Sequence, residues 1–152
     1  MKRAWVVLAA AVQLGCGTST APSQLSSSYF LSTLDGKPLP VPYGADGSML
    51  IASMLDFGTL GRPRETTPPQ GTVRYVVDAQ RPEQFIDHSE VDLNYAIEDS
   101  TLRIDLCPPL ALCLIASELV GPIKDDRAEL VLTHYLGGKA GSVYRFVAQL
   151  PD

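Results

Sequence analysis

Imidazole and thiol are scarce in this chain, which has two histidines and three cysteines in 152 residues. That removes most metal sites, which draw on several His or Cys ligands, and leaves a Ser/His/Asp hydrolase only His88 and His134 to supply its base. No run of Lys or Arg follows the first three residues, and acidic residues outnumber basic ones 17 to 12. Such a surface repels phosphate backbones and anionic lipid heads, so nucleic-acid partners are excluded. The only tryptophan is Trp5.

The start of the chain carries the pattern of an export signal. Lys2 and Arg3 precede an uncharged run, Ala4 to Val12, as in the n-region and h-region of a secretory signal. At about nine residues the run is well short of the roughly twenty a membrane-spanning helix needs. Gln13-Leu14-Gly15-Cys16 follows, with small Gly15 before the cysteine. This is similar to the cleavage box of bacterial lipoproteins, which usually has Leu where Gln13 stands. Three readings are open: lipidation at Cys16, ordinary signal cleavage, or an uncleaved start. The first is preferred. It implies a signal peptide over 1–15, a diacylglyceryl group on the Cys16 thiol and an acyl chain, such as palmitate, on its new amine. Several chains make such an attachment effectively permanent. An Asp after the cysteine would retain the protein at a Gram-negative inner membrane; Gly17 there points to the outer membrane, facing the periplasm. Without residues 1–15 the chain has ten basic and seventeen acidic residues, a net charge of −7.

Lipidation of Cys16 also leaves an even number of thiols. Cys107 and Cys113 enclose Pro108-Pro109-Leu110-Ala111-Leu112, a spacing that suits a small disulfide-closed loop in an oxidising compartment. The alternative is two buried thiols packed as small hydrophobes.

Residues 16–28 form a Ser/Thr-rich stretch without apolar periodicity, read as a flexible tether that holds a domain about 20 Å from the lipid. From 29 to 152 the pattern changes to short apolar runs punctuated by Gly, Pro and Asp. In Val91 to Leu106, Val91, Leu93, Tyr95 and Ile97 alternate with polar residues, and Leu102, Ile104 and Leu106 do so again after Glu98-Asp99-Ser100. Period two around a turn predicts a β-hairpin with one buried face. Further strands are expected at Tyr29 to Thr33, Met49 to Leu55, Thr72 to Val77, Leu130 to Thr133 and Val143 to Ala148. Turns are expected at Asp35-Gly36, Asp46-Gly47, Asp125-Asp126 and Gly137-Gly138. Leu110 to Val120 suits either a helix or a strand, with strand favoured by its β neighbours. Gly58 to Gly71, rich in Pro, reads as an exposed loop. The fold class is therefore all-β: an antiparallel meander of about eight strands. Closure into a barrel would remove exposed edges; a β-sandwich is the alternative.

Tyr29 to Pro40, the Tyr95 hairpin, Gly121-Pro122-Ile123 with Leu130-Val131-Leu132, and the closing Val143-Tyr144-Arg145-Phe146 together resemble the small lipocalin-like (calycin-like) lipoproteins of the bacterial envelope. The resemblance spans nearly the whole domain. The chain departs from true lipocalins in lacking a Gly-x-Trp near the first strand. The resemblance implies a closed barrel and transfers no particular ligand.

Asp87-His88-Ser89 has the residue types of a hydrolase, but chain neighbours seldom face one another, and no Gly-x-Ser-x-Gly elbow is present. On an extended strand His88, Glu90 and Asp92 share a face opposite Val91 and Leu93, which makes it the solvated one; a weak surface cation site is the sharper reading. Gly137 to Gly141 lacks the context of a phosphate loop and reads as a turn. Arg62 and Arg64 are read as solvated loop residues. Val91, Leu93, Tyr95, Leu102, Ile104, Leu106, Leu130, Leu132, Tyr144 and Phe146 would either fill the barrel or line a ligand cavity, with filling preferred. The expectation is a non-enzymatic, lipid-anchored envelope lipoprotein without metal or cofactor, whose barrel serves as an interaction or structural module toward a protein partner. The alternative is a carrier for a small apolar ligand.

Overall fold

The computed structural model describes residues 25–43, 45–58, 70–83, 85–124 and 126–149. Cys16, the signal, most of the tether, Arg62 and Arg64 lie outside the described residues. Ten strands are present: β1 (Ser28–Leu34), β2 (Lys37–Pro38), β3 (Val41–Pro42), β4 (Met49–Asp56), β5 (Gln70–Gln80), β6 (Ile86–Glu98), β7 (Thr101–Asp105), β8 (Ser117–Pro122), β9 (Glu129–Leu136) and β10 (Lys139–Ala148).

They pair in the order β2-β1-β10-β9-β8-β7-β6-β5-β4-β3, and β1 also pairs with β4 through Ser28↔Asp56, Tyr29↔Leu55 and Phe30↔Met54. That last pairing closes an eight-strand antiparallel barrel, with β2 and β3 as two short extra strands outside it. Three hairpins have two-residue turns with both central residues at positive φ: Asp35-Gly36 (50° and 74°), Asp99-Ser100 (47° and 62°) and Gly137-Gly138 (56° and 79°). This backbone matches the right-handed twist of the flanking strands. It fixes the register, so every second residue of each hairpin points inward.

Because neighbouring strands run antiparallel, the barrel has two chemically distinct ends. At the proximal end β1 begins, β4 and β6 end, and β10 finishes at Ala148; the distal end has the turns after β1, β5 and β9 and the connection from β7 to β8. Inside, buried apolar side chains from all eight barrel strands form one cluster, including Tyr29, Leu50, Leu55, Val73, Leu93, Ile104, Leu119, Leu132 and Phe146. Full burial of one such side chain contributes about 1.5–3 kcal/mol. Among the described residues, which begin at Leu25, the strands and the apolar cluster form one self-contained core.

An aromatic plug closes the proximal half. Phe57 meets Tyr29 and Tyr95 edge-on, with ring centroids 5.9 and 5.3 Å apart. The Tyr29 hydroxyl donates to the Arg127 carbonyl at 3.1 Å and accepts from the Ser26 amide at 3.1 Å, tying the incoming chain to the β8–β9 connection. Tyr95 lies across Gly71, where a Cβ would come within 2.8 Å of its ring carbons. Only glycine leaves room for that ring.

The structure departs from the sequence expectation in several places. Leu110 to Val120 is neither helix nor one strand: β8 starts at Ser117, and the residues before it form an irregular loop. Pro108 and Pro109 lack amide hydrogens for a ladder, and the Cys107–Cys113 bond holds the chain ends of the loop together. Gln70 and Gly71 belong to β5 rather than to the preceding loop. β6 begins at Ile86, five residues before the Val91 strand expected from the pattern, and so includes Asp87-His88-Ser89. The β6–β7 turn is Asp99-Ser100, with Glu98 already paired to Thr101.

Candidate functional site

The ten inward apolar positions expected from the pattern all belong to the core or pack against it, with Val91, Leu106 and Tyr144 only partly buried. They come together in one cluster inside the barrel. The one buried polar side chain without a hydrogen-bond partner of normal geometry, among the described residues, is Ser53. It sits on β4 opposite Val77, one step from the Leu55↔Tyr75 pair, and the nearby Tyr75 phenol is pushed well above its usual range by burial. Burial also raises the Tyr144 phenol. Ser53, Tyr75 and Tyr144 bring three hydroxyls to a largely apolar interior.

Two depressions open to solvent. One, of about 380 Å³, is lined by residues of β5, β6 and β7, including Thr72, Asn94, Arg103 and Asp105. The other, of about 400 Å³, lies at the distal end and is lined by Tyr43, Asp46, Ser48, Arg81 and Asp87. In it Arg81 pairs with Asp87 at 2.6 Å and with Asp46 at 3.5 Å, and the Ser48 hydrogen bonds hold the Asp46 carboxyl below its usual range.

His88 stands on the outer face of the β5–β6 hairpin, as alternation with Val91 and Leu93 requires. Its Nε2 lies 3.0 Å from Glu90 and its Nδ1 2.5 Å from Asp78, and these bonds, Glu90 first, raise the imidazole above its ordinary value. Asp92 is on the same face but pairs with Arg74 at 3.1 Å. Among the described residues no three His, Cys, Asp or Glu side chains converge to hold a metal ion. His134 Nε2 shares a hydrogen bond with Ser117 Oγ at 2.9 Å, across β8 and β9. That pair and the His88 group are on different strands and do not combine into one site. Gly137-Gly138 is a hairpin turn.

Cys107 and Cys113 are bonded, with Cα atoms 5.9 Å apart. The loop they close is fixed at its base: Leu106 N–H donates to the Ser117 carbonyl and Gly137 N–H to the Ala116 carbonyl, both at 2.8 Å. Above that base Leu110, Leu112 and Leu114 are fully exposed and Ile115 is 57% exposed. Sequence reasoning spent these residues on a core element. The signal that separates them is local, two prolines directly after the first cysteine.

No helix among the described residues is long and apolar enough to cross a membrane. No family model matches the chain, and neither the curated proteins nor the solved structures include a significant match. The closed eight-strand barrel is compatible with a lipocalin-like fold; its shape rests on the strand pairing alone.

Proposed function

We propose that the protein is a lipid-anchored lipoprotein of the outer membrane whose barrel works through its outer surface, as an interaction or structural module without chemistry of its own. The observation that supports this reading is the packed interior. With Tyr29, Phe57 and Tyr95 plugging one half and leucine, isoleucine and phenylalanine filling the middle, recognition falls to rims and loops. Anchoring is tested by replacing Cys16 with Ser and following acyl labelling and envelope fractionation. Label on the wild type and none on the variant is expected; equal solubility and no label on either would reject the anchor.

A second reading, a carrier of a small ligand, is favoured by one observation. Ser53 buries a hydroxyl whose one hydrogen-bonding neighbour, outside normal geometry, is the Tyr75 phenol, so a bound polar group or water would find unused donor and acceptor capacity there. Native mass spectrometry of the purified chain and titration with a hydrophobic fluorophore decide it. Retained mass or saturable uptake that Ser53→Val abolishes supports the carrier; neither would leave the packed module.

A further inference from the structure

We propose that the Cys107–Cys113 loop is a bilayer-contact element that inserts Leu110, Leu112 and Leu114 into the interfacial zone of a zwitterionic membrane. The loop goes beyond the anchor reading, because its affinity for lipid belongs to the folded domain and needs no acyl chain.

Four observations carry the proposal. First, Leu106 to Ser117 contains no charged residue, and the three leucines project fully into solvent without packing on the barrel. Second, the projection is held in place. The disulfide closes it, Leu110 sits at its tip with φ 75°, and Ile115 rests against the Gly137 turn, 3.4 Å from where a Cβ there would stand. A loop already ordered in water loses little freedom on insertion.

Third, four of the ten positions from Cys107 to Ala116 present no free N–H, and the free amides of the other six hold the insertion to the hydrated interfacial zone, since unpaired N–H groups are expensive in hydrocarbon. Cys107 N–H donates to the Asp105 carboxylate at 2.9 Å. Pro108 and Pro109 have no N–H, and Ala111 N–H donates to the Pro108 carbonyl at 3.0 Å. Fourth, the apolar area is wrong for a second protein. Four such side chains offer roughly 100 Å² apiece, about half of the roughly 800 Å² per partner in a stable interface. A convex knob of that size needs a matching pocket on a protein, whereas fluid lipid accommodates it without one. The mature charge of −7 makes zwitterionic lipid the suitable surface.

Geometry permits the loop and a lipid on Cys16 to share one bilayer. The loop is at the distal end and the chain enters at the proximal end, separated by a strand of seven residues in β1, about 23 Å. Leu25 to Ser27 are held at the proximal end, which leaves Gly17 to Gln24, eight residues, reaching about 27 Å when extended. The tether therefore spans the barrel.

The test uses the chain from Gly17 onward, which holds all the described strands and core residues and carries no lipid. Trp5 is then gone, and Leu112→Trp supplies a single fluorophore at the loop. Phosphatidylcholine vesicles are expected to shift its emission to the blue, and the unmodified chain is expected to float with them. Leu110→Asp and Leu114→Asp should each lower the partition at least about tenfold with an unchanged circular dichroism spectrum. Emission indifferent to vesicles, together with no flotation of the unmodified chain, overturns the proposal. So does a blue shift that appears without lipid as protein concentration rises, since that reports self-association. Stronger binding to phosphatidylglycerol than to phosphatidylcholine also overturns it, by showing charge attraction instead. Acyl labelling of Cys16 is read separately, so failure of the loop and failure of the anchor are distinguishable.

Discussion

Gly121→Ala is expected to be among the most damaging single-methyl changes in this domain. Gly121 is buried in β8, and a Cβ there would stand 2.0 Å from the Val131 carbonyl oxygen and 3.0 Å from Leu132 Cδ2. Carbon and carbonyl oxygen approach to about 3.3 Å without penalty, so β8 and β9 must part by about 1.3 Å. The obstruction is backbone, and backbone cannot rotate away. The opening would fall between Val120↔Thr133 and the Ile123↔Leu130 bridge, directly over the buried Leu130 and Leu132. Overpacking costs about 1–3 kcal/mol; with a paired strand as the neighbour the upper figure applies, about 3 kcal/mol out of a total of roughly 5–15. Urea unfolding followed by circular dichroism should show the midpoint falling by about 1–2 M. Gly138 is the control, with φ 79° and nothing within 4 Å of its Cβ position. Alanine there costs about 1–2 kcal/mol by backbone conformation alone, and asparagine, which tolerates positive φ, should recover much of it. Asparagine at Gly121 should recover nothing. A Gly121→Ala protein within about 1 kcal/mol of wild type would refute the steric reasoning.

Removing the disulfide with Cys107→Ser and Cys113→Ser should cost about 2.4 kcal/mol by loop-closure entropy and lower Tm by roughly 10 °C. The spectrum of the folded barrel should not change, because the loop lies outside it; an unchanged Tm would show that the bond adds no stability. For His88, hydrogen bonds to Glu90 and Asp78 raise the imidazole pKa, so the folded state binds its proton more tightly than the unfolded chain. Its contribution is full below about pH 6.5 and is lost as pH rises through the raised folded value. NMR titration should place the His88 ring above His134-independent reference imidazole and return it toward that reference in Glu90→Gln; a ring titrating at or below reference would contradict the geometry.

The barrel was legible because its hairpins repeat one rule. Val91, Leu93, Tyr95 and Ile97, then Leu102 and Ile104, alternate at period two, and Asp99-Ser100 takes the positive φ values a tight turn needs. The same rule predicted an outward His88 stripe, which the structure has. It failed between Leu110 and Ile115, where apolar composition resembles a core strand while two prolines and a cysteine bridge remove the strand backbone. Composition measures only what burial would gain. It does not say whether the backbone can reach the core. β2 and β3 escaped notice because two residues have no period, and Ser53 escaped because a lone serine within an apolar run gives no sign of facing inward without a partner.

These differences bear on where function resides. The proximal half is packed around Tyr29, Phe57 and Tyr95 and tied to Ser26 and Arg127 by the Tyr29 hydroxyl. The Ser53 and Tyr75 hydroxyls lie inside the barrel, and the leucine knob stands outside it at the distal end. Fully exposed apolar side chains, Leu110, Leu112 and Leu114, stand at this end, whereas Phe30 and Val147 near the proximal end are only partly exposed. If lipid contact at Leu110, Leu112 and Leu114 fails while Ser53→Val changes ligand retention, the working part of the barrel is its interior. If the reverse holds, it is the loop. The two measurements use the same folded barrel and different residues, so either result assigns the site without disturbing the other.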